Sequence, residues 1–167
     1  MKTDSELTAK FSNIYINLLY CVMTKDLNKV RHFLGEQVAL KYQGLIDTLI
    51  ANNETQLYDE LNVGKIDIID RKEQDNKEII TVKILSRYMN YKLDSNGNYK
   101  SGNNKFREEH ENILTFVKDI DATSKNYYRC KYCGNNLDIN FTGECPYCNK
   151  VYNMEDHDYQ LIDIEVK

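Results

Sequence analysis

The chain has 167 residues, which suits one domain of ordinary size carrying a small appended module. Its 22 Lys and Arg against 26 Asp and Glu leave a net charge of −4, which argues against a general polyanion-binding role. No apolar run approaches the roughly eighteen residues of a membrane span and no signal peptide is visible, so a reducing, cytoplasmic setting is the expectation.

Thr3 and Glu6 have the spacing of a capping box, and Leu7, Phe11, Ile14, Tyr15, Leu18, Leu19 and Val22 then follow a helical period. Cys21 lies near that stripe and reads as a buried, inert thiol. Asp26 to Leu34 reads as a second, shorter helix ended by Gly35, with His32 on its polar side. A third helix, about Glu36 to Ala51, turns Leu40, Leu45, Leu49 and Ile50 inward. Asn52 to Glu60 reads as a solvated connection, since it lacks the alternate-ligand spacing and central Gly of a calcium loop.

The period then changes from helical to alternating. Lys65 to Asp70 is a predicted strand, Gln74 to Lys77 a polar turn, and Glu78 to Leu93 a long second strand. The apolar phase of that second strand switches between Ile80, Val82, Ile84 and Met89, Tyr91, Leu93, which predicts a bulge or bend near Leu85 to Tyr88. Asp94 to Gly97 and Ser101 to Asn104 are turn-rich, and Phe106 to Asp119 is a third strand. Tyr159 to Val166 alternates again, with Ile162, Ile164 and Val166 on one face.

Between the last two strands lies the most specific pattern in the chain. Cys130 and Cys133 form one Cys-x2-Cys pair and Cys145 and Cys148 a second, eleven residues apart. Such turns aim thiolates at a single ion about 2.3 Å away, and two of them close a tetrahedron with no open position. The site is therefore predicted to be structural and to hold Zn2+, with iron sharing the preference for tetrahedral sulfur. Glutaredoxin-like redox chemistry at Cys145 and Cys148 would need the motif at a helix start early in a βαβ unit. Two disulfides would leave Cys21 unpaired. The ribbon carries Lys125, Arg129, Lys131 and Lys150 against Asp138, Glu144, Glu155, Asp156 and Asp158, a balance that does not favour nucleic acid. The expected organisation is an α+β domain over 1–124, an inserted zinc ribbon over 125–158, and a final strand over 159–167 that returns to the domain.

The segments DLNKVRHFL, ITVKILSRYMNYKLDSNGNYKSG, ENILTFVKD and YQLIDI together resemble the Tim-forty-four-like domain, named from the C-terminal domain of a mitochondrial inner-membrane import subunit. The turn from Asp94 through Gly97 to Gly102 is the most telling local feature. Cys130, Cys133, Gly134, Leu137, Asp138, Ile139 and Asn140 are similar to a four-Cys ribbon carried by some prokaryotic-type relatives. Leu114 and Tyr159 stand where the family usually has Trp. The resemblance implies a cone-like α+β fold of the nuclear-transport-factor-two type, in which N-terminal helices pack on a strongly curved antiparallel sheet around a pocket. In the mitochondrial relative the domain associates with membrane lipid and translocation partners, which implies peripheral membrane association here by analogy alone. An exposed sheet face would support a homodimer.

For a pocket, Tyr88 and Tyr91 are candidate lining residues and His110 is the best acid/base candidate. Along a strand His110 shares a face with Glu108 and not with Glu109 or Glu111. His157 lies beside the ribbon, where four cysteines already fill a tetrahedron. No phosphate loop, His-Glu-x-x-His pattern or nucleophile elbow is present, so no catalytic set is assigned. The expected function is a non-enzymatic binding or scaffold module for a protein or apolar ligand. The alternatives are a small-molecule enzyme of the cone-like fold and nucleic-acid binding through the ribbon.

Overall fold

The computed structural model describes residues 3–120 and 159–166. Two helices, α1 (Asp4–Thr24) and α2 (Glu36–Asn52), precede five strands: β1 (Thr55–Gln74), β2 (Lys77–Leu93), β3 (Tyr99–Gly102), β4 (Glu108–Asp119) and β5 (Gln160–Val166). The strands form one curled antiparallel sheet in the order β1-β2-β4-β5, with β3 paired to β2. The four thiols Cys130, Cys133, Cys145 and Cys148, together with His157, lie outside the described residues.

The capping box at the start of α1 is formed in both directions. Thr3 Oγ1 accepts from the Glu6 amide and a Glu6 carboxylate oxygen accepts from the Thr3 amide, each at 3.2 Å. Leu7, Phe11, Ile14, Tyr15, Leu18, Leu19 and Val22 are all buried, as their spacing requires. Phe11 stacks on Phe116 of β4 with ring centroids 4.0 Å apart, and Tyr159 meets Phe11 edge-on at 5.3 Å. These contacts seat α1 on the concave side of the sheet.

The second expected helix does not form. Residues 26–27 are irregular, 28–30 form a turn, and Arg31–Phe33 is one 3₁₀ turn. Asp26 Oδ1 accepts the Asn28 amide, so the segment closes locally on its own side chain rather than on a helical ladder. Leu27, Val30 and Leu34 are still buried, so apolar spacing alone could not separate this turn from a helix. In α2 the inward residues are Val38, Ala39, Ile46 and Leu49, whereas Leu40 and Ile50, expected inside, are 62% and 54% exposed. The helix enters at Gly35, whose amide donates to the Leu161 carbonyl at 2.8 Å, and this docking fixes its rotation. A Cβ on Gly35 would sit 3.2 Å from that same oxygen. The contact also covers part of the free edge of β5.

Strand β1 is much longer than Lys65 to Asp70 and absorbs most of the expected Asn52 to Glu60 connection. Its alternation is hidden because the pairing with β2 shifts between Asp59 and Asn62, Val63 and Lys65, and Ile68 and Asp70. Each irregularity resets the phase and adds twist, which curls the sheet. No irregularity interrupts the pairing of β2 with β4 from Lys77 to Tyr88, so the bulge expected near Leu85 lies on the neighbouring strand. Asp75 and Asn76 both have positive φ and join β1 to β2 as a two-residue hairpin of the type that matches strand twist. On β5 the shift between Thr115 and Phe116 places Leu161 and Ile164 inside and leaves Ile162 and Val166 exposed, against the expected face.

The β2–β3 turn is held by Asp94, whose Oδ1 accepts from the Asn96 and Asn98 amides. Lys100 pairs with the buried carboxylate of Glu54 and holds its carboxyl below the usual range. Gly102 has φ +100°, and a Cβ there would lie 2.3 Å from the Asn90 carbonyl oxygen. Gly102→Ala is therefore expected to lose about 2–3 kcal/mol through backbone strain and overpacking. Urea unfolding checks this, and a loss below about 0.5 kcal/mol would mean the hairpin shifts freely.

Candidate functional site

Antiparallel partners share a face, so the register of β2 and β4 arranges the inner surface in rows. Ile80 lies opposite Phe116, Val82 opposite Leu114, Ile84 opposite Asn112, Ser86 opposite His110, and Tyr88 opposite Glu108. The rows run from wholly apolar to polar and aromatic. The apolar end packs under α1, and the polar end forms the candidate site.

Three groups meet at its base. The Tyr15 hydroxyl lies 2.8 Å from Ser86 Oγ and donates to Asn112 Oδ1 at 3.3 Å. Ser86 and Asn112 are buried, so Tyr15 supplies the hydrogen bonds that their burial demands. Above them His110 stacks on Tyr88 at 3.9 Å with rings 12° from parallel, and Tyr58 of β1 meets Tyr88 edge-on at 5.2 Å. Tyr42 of α2 is half-buried against the same core.

Burial keeps these groups uncharged. It raises the Tyr15 hydroxyl above its ordinary value, although hydrogen bonds with Ser86 and Tyr88 pull the other way. It pushes Tyr42 up to about 12, with Tyr15 nearby adding to the effect. Tyr58 and Tyr88 rise for the same first reason, reinforced in both by Tyr15 and Tyr42 and in Tyr88 also by Tyr58. His110 moves the opposite way, since burial lowers it and Glu108 and the Tyr88 backbone only partly counter that. Its Nε2 is buried and has no hydrogen-bond partner among the described residues. At neutral pH the surface is thus a set of neutral hydroxyls and a neutral imidazole held in aromatic walls.

A depressed histidine has a defined consequence for stability. Below its ordinary value of 6.5 the unfolded chain takes up a proton that the folded His110 resists, so its contribution is present above that pH and lost as pH falls through the folded value. The urea midpoint should decline as pH falls below about 6.5, and His110→Phe should flatten that decline. An unchanged slope in the variant would remove His110 as the cause. Glu54, held low by Lys100, acts only below its ordinary carboxyl range, a separate and more acidic window.

Of the sequence candidates, Tyr88 and His110 are brought together and Tyr91 is not. Tyr91 is three residues beyond Tyr88, so it projects to the opposite face and donates to Asp59 Oδ2 at 3.1 Å. Tyr42, Tyr58, Ser86 and Asn112 were not singled out from sequence, and Tyr15 was read there only as part of the buried stripe of α1. For Ser86 and Asn112 the available signal was a polar residue in the inward phase of an otherwise apolar strand.

Among the described residues, no group of three or more His, Cys, Asp or Glu could hold a metal. No described helix is long and apolar enough to cross a membrane. Val117 near the end of β4 pairs with Gln160 at the start of β5, so the connection carrying the four cysteines leaves and returns on neighbouring strands.

A comparison with curated proteins gives no match. The Tim44-like domain matches residues 3–130, which include α1, α2 and strands β1 to β4. The sequence match spans most of the chain and coincides with helices packed on a curled antiparallel sheet: the protein belongs to the Tim44-like domain family.

Proposed function

We propose that this chain is a non-catalytic binding module whose inner face, at Tyr42, Tyr58, Tyr88 and His110, receives a protein segment or an apolar ligand. The observation that supports this most directly is the neutrality of that face. Burial raises its tyrosines and lowers its histidine, so these four side chains present no charge of their own to repel an apolar group. Aromatic rings offer large contact area, and the hydroxyls and the unpartnered Nε2 offer hydrogen bonds that orient what binds. Family membership is consistent with a binding role.

In this proposal Cys130, Cys133, Cys145 and Cys148 bind one structural Zn2+ and make the 125–158 insertion a ribbon, as in a prokaryotic-type member of the family. The donor set suits the ion, since four thiolates in two Cys-x2-Cys pairs match tetrahedral zinc, and a reducing compartment would keep them available.

The chain has thirteen Tyr and no Trp, so tyrosine fluorescence can follow binding, and single variants assign the change to the inner face. Titration with octan-1-ol as an apolar probe should give a saturable change that weakens about tenfold in Tyr58→Ala and Tyr88→Ala. A response that never saturates, or that both variants retain in full, counts against the inner face as the binding surface.

A further inference from the structure

The polar groups at the base of the inner face satisfy one another. The Tyr15 hydroxyl lies against Ser86 Oγ and donates to Asn112 Oδ1, which leaves neither acceptor dry. His110 differs. Its Nε2 is shielded from solvent and, among the described residues, is a buried side-chain nitrogen that nothing serves. Such an atom costs free energy in the folded state, and a ligand that supplies its partner recovers that cost.

What that partner must be follows from the other side of the ring. A neutral imidazole carries one N–H and one lone pair. His110 is bonded to the Tyr88 backbone in the sense that favours its protonated form, as when the ring donates to a carbonyl oxygen. Nε2 has no partner, so the donor is Nδ1. The hydrogen is thereby assigned to Nδ1, and Nε2 presents a lone pair. The stack on Tyr88, with centroids 3.9 Å apart and rings 12° from parallel, fixes the plane of the imidazole, and the Nδ1 bond fixes which edge meets the strand.

We propose that the ligand of the inner face is a neutral apolar molecule bearing a hydroxyl, which donates its hydrogen to His110 Nε2; this rests on the inner face being the binding surface. The apolar body lies against Tyr42, Tyr58 and Tyr88. An ether or ketone of the same size covers the same rings but sets a lone pair against a lone pair. A carboxylate does so with a charge that must also shed its water, and an ammonium brings a donor at that same cost. A site made to meet a hydroxyl rejects the analogue lacking its hydrogen, because the site's own polar atom then stays unpaired. His110, Tyr42 and Tyr58 are each half-buried as residues, so entry displaces side chains at the rim and leaves the buried core in place. Once formed, the bond to a shielded nitrogen does not compete with water.

The test compares octan-1-ol with 1-methoxyheptane, isomers of nearly equal length that differ in whether the oxygen carries a hydrogen. Titrated into the full-length chain and followed by tyrosine fluorescence, the alcohol should bind about tenfold more tightly than the ether. His110→Phe should remove the difference by weakening the alcohol to the level of the ether. A second measurement needs no variant to bind. At about pH 8, where an ordinary imidazole is neutral, the ring 15N shifts of His110 should show a hydrogen on Nδ1 and a bare Nε2. The Nε2 signal should move with the alcohol and stay with the ether, and its absence from the His110→Phe spectrum assigns it. A hydrogen found on Nε2, or a preference for the alcohol that survives in His110→Phe, overturns the assignment. Saturable binding of both probes with equal affinity overturns the hydroxyl and leaves the inner face as the binding surface. Saturation by neither probe overturns both.

Discussion

Phe116→Ala is expected to lose about 3–5 kcal/mol of folding stability. Phe116 is fully buried at the apolar end of the inner rows and stacks on Phe11, so truncation removes one half of the contact that joins α1 to the sheet. Tyr159 already occupies the edge of Phe11, and Leu161 pairs directly with Phe116 from β5, so the surroundings are committed and collapse poorly into the space. A domain of this size has a margin of only about 5–15 kcal/mol, so the variant should unfold at a much lower urea concentration. Phe11→Ala should behave alike, and the double variant should lose less than the sum, because both changes delete the same ring pair. A loss below about 1 kcal/mol for either single variant would mean that the stack is peripheral to stability.

Removing the proposed zinc should have a comparably large but local effect. The 125–158 stretch has a few apolar residues, Leu137, Ile139 and Phe141 among them, too few for a core of its own, so metal binding would have to supply its order. Structural zinc contributes on the order of 10 kcal/mol to modules of this kind. Elemental analysis should find one zinc per chain, and Cys130→Ser with Cys145→Ser should abolish it. The same pair should expose the stretch to protease while the cooperative unfolding of the remainder persists. The basis for that persistence is that, among the described residues, one buried cluster runs from Leu7 to Phe116 and on through Tyr159 to Ile164. If the purified protein carries no stoichiometric metal, or if the double variant resists protease as well as the parent, the zinc assignment fails.

The sequence carried the helical stripe of α1 to the residue, because an amphipathic helix writes its buried face directly into its period and its cap into two side chains. It also carried β2 and β4 as long strands, and the family. It did not carry β1. Three register shifts break its alternation, and a strand whose phase resets every few residues has no two-residue period to read. The turn at 26–33 failed for the opposite reason, since its apolar residues do fall at helical spacing while a side-chain hydrogen bond at Asp26 diverts the backbone.

For the inner face, sequence reasoning paired Tyr88 and Tyr91 by type, and strand geometry separates them. It placed His110 with Glu108, which the alternation guarantees. The partnership of Tyr15, Ser86 and Asn112 joins positions 71 and 97 residues apart, and no local pattern encodes such a contact. What the sequence determined by itself was whatever is periodic or chemically paired over a few residues: the first helix, strands β2 and β4, and the two cysteine pairs. Only the tertiary structure decided which polar residues turn inward, how far the sheet curls and which tyrosines meet. Those depend on where bulges fall and on what α1 and α2 press against the sheet, and both are set by packing between segments far apart in the chain.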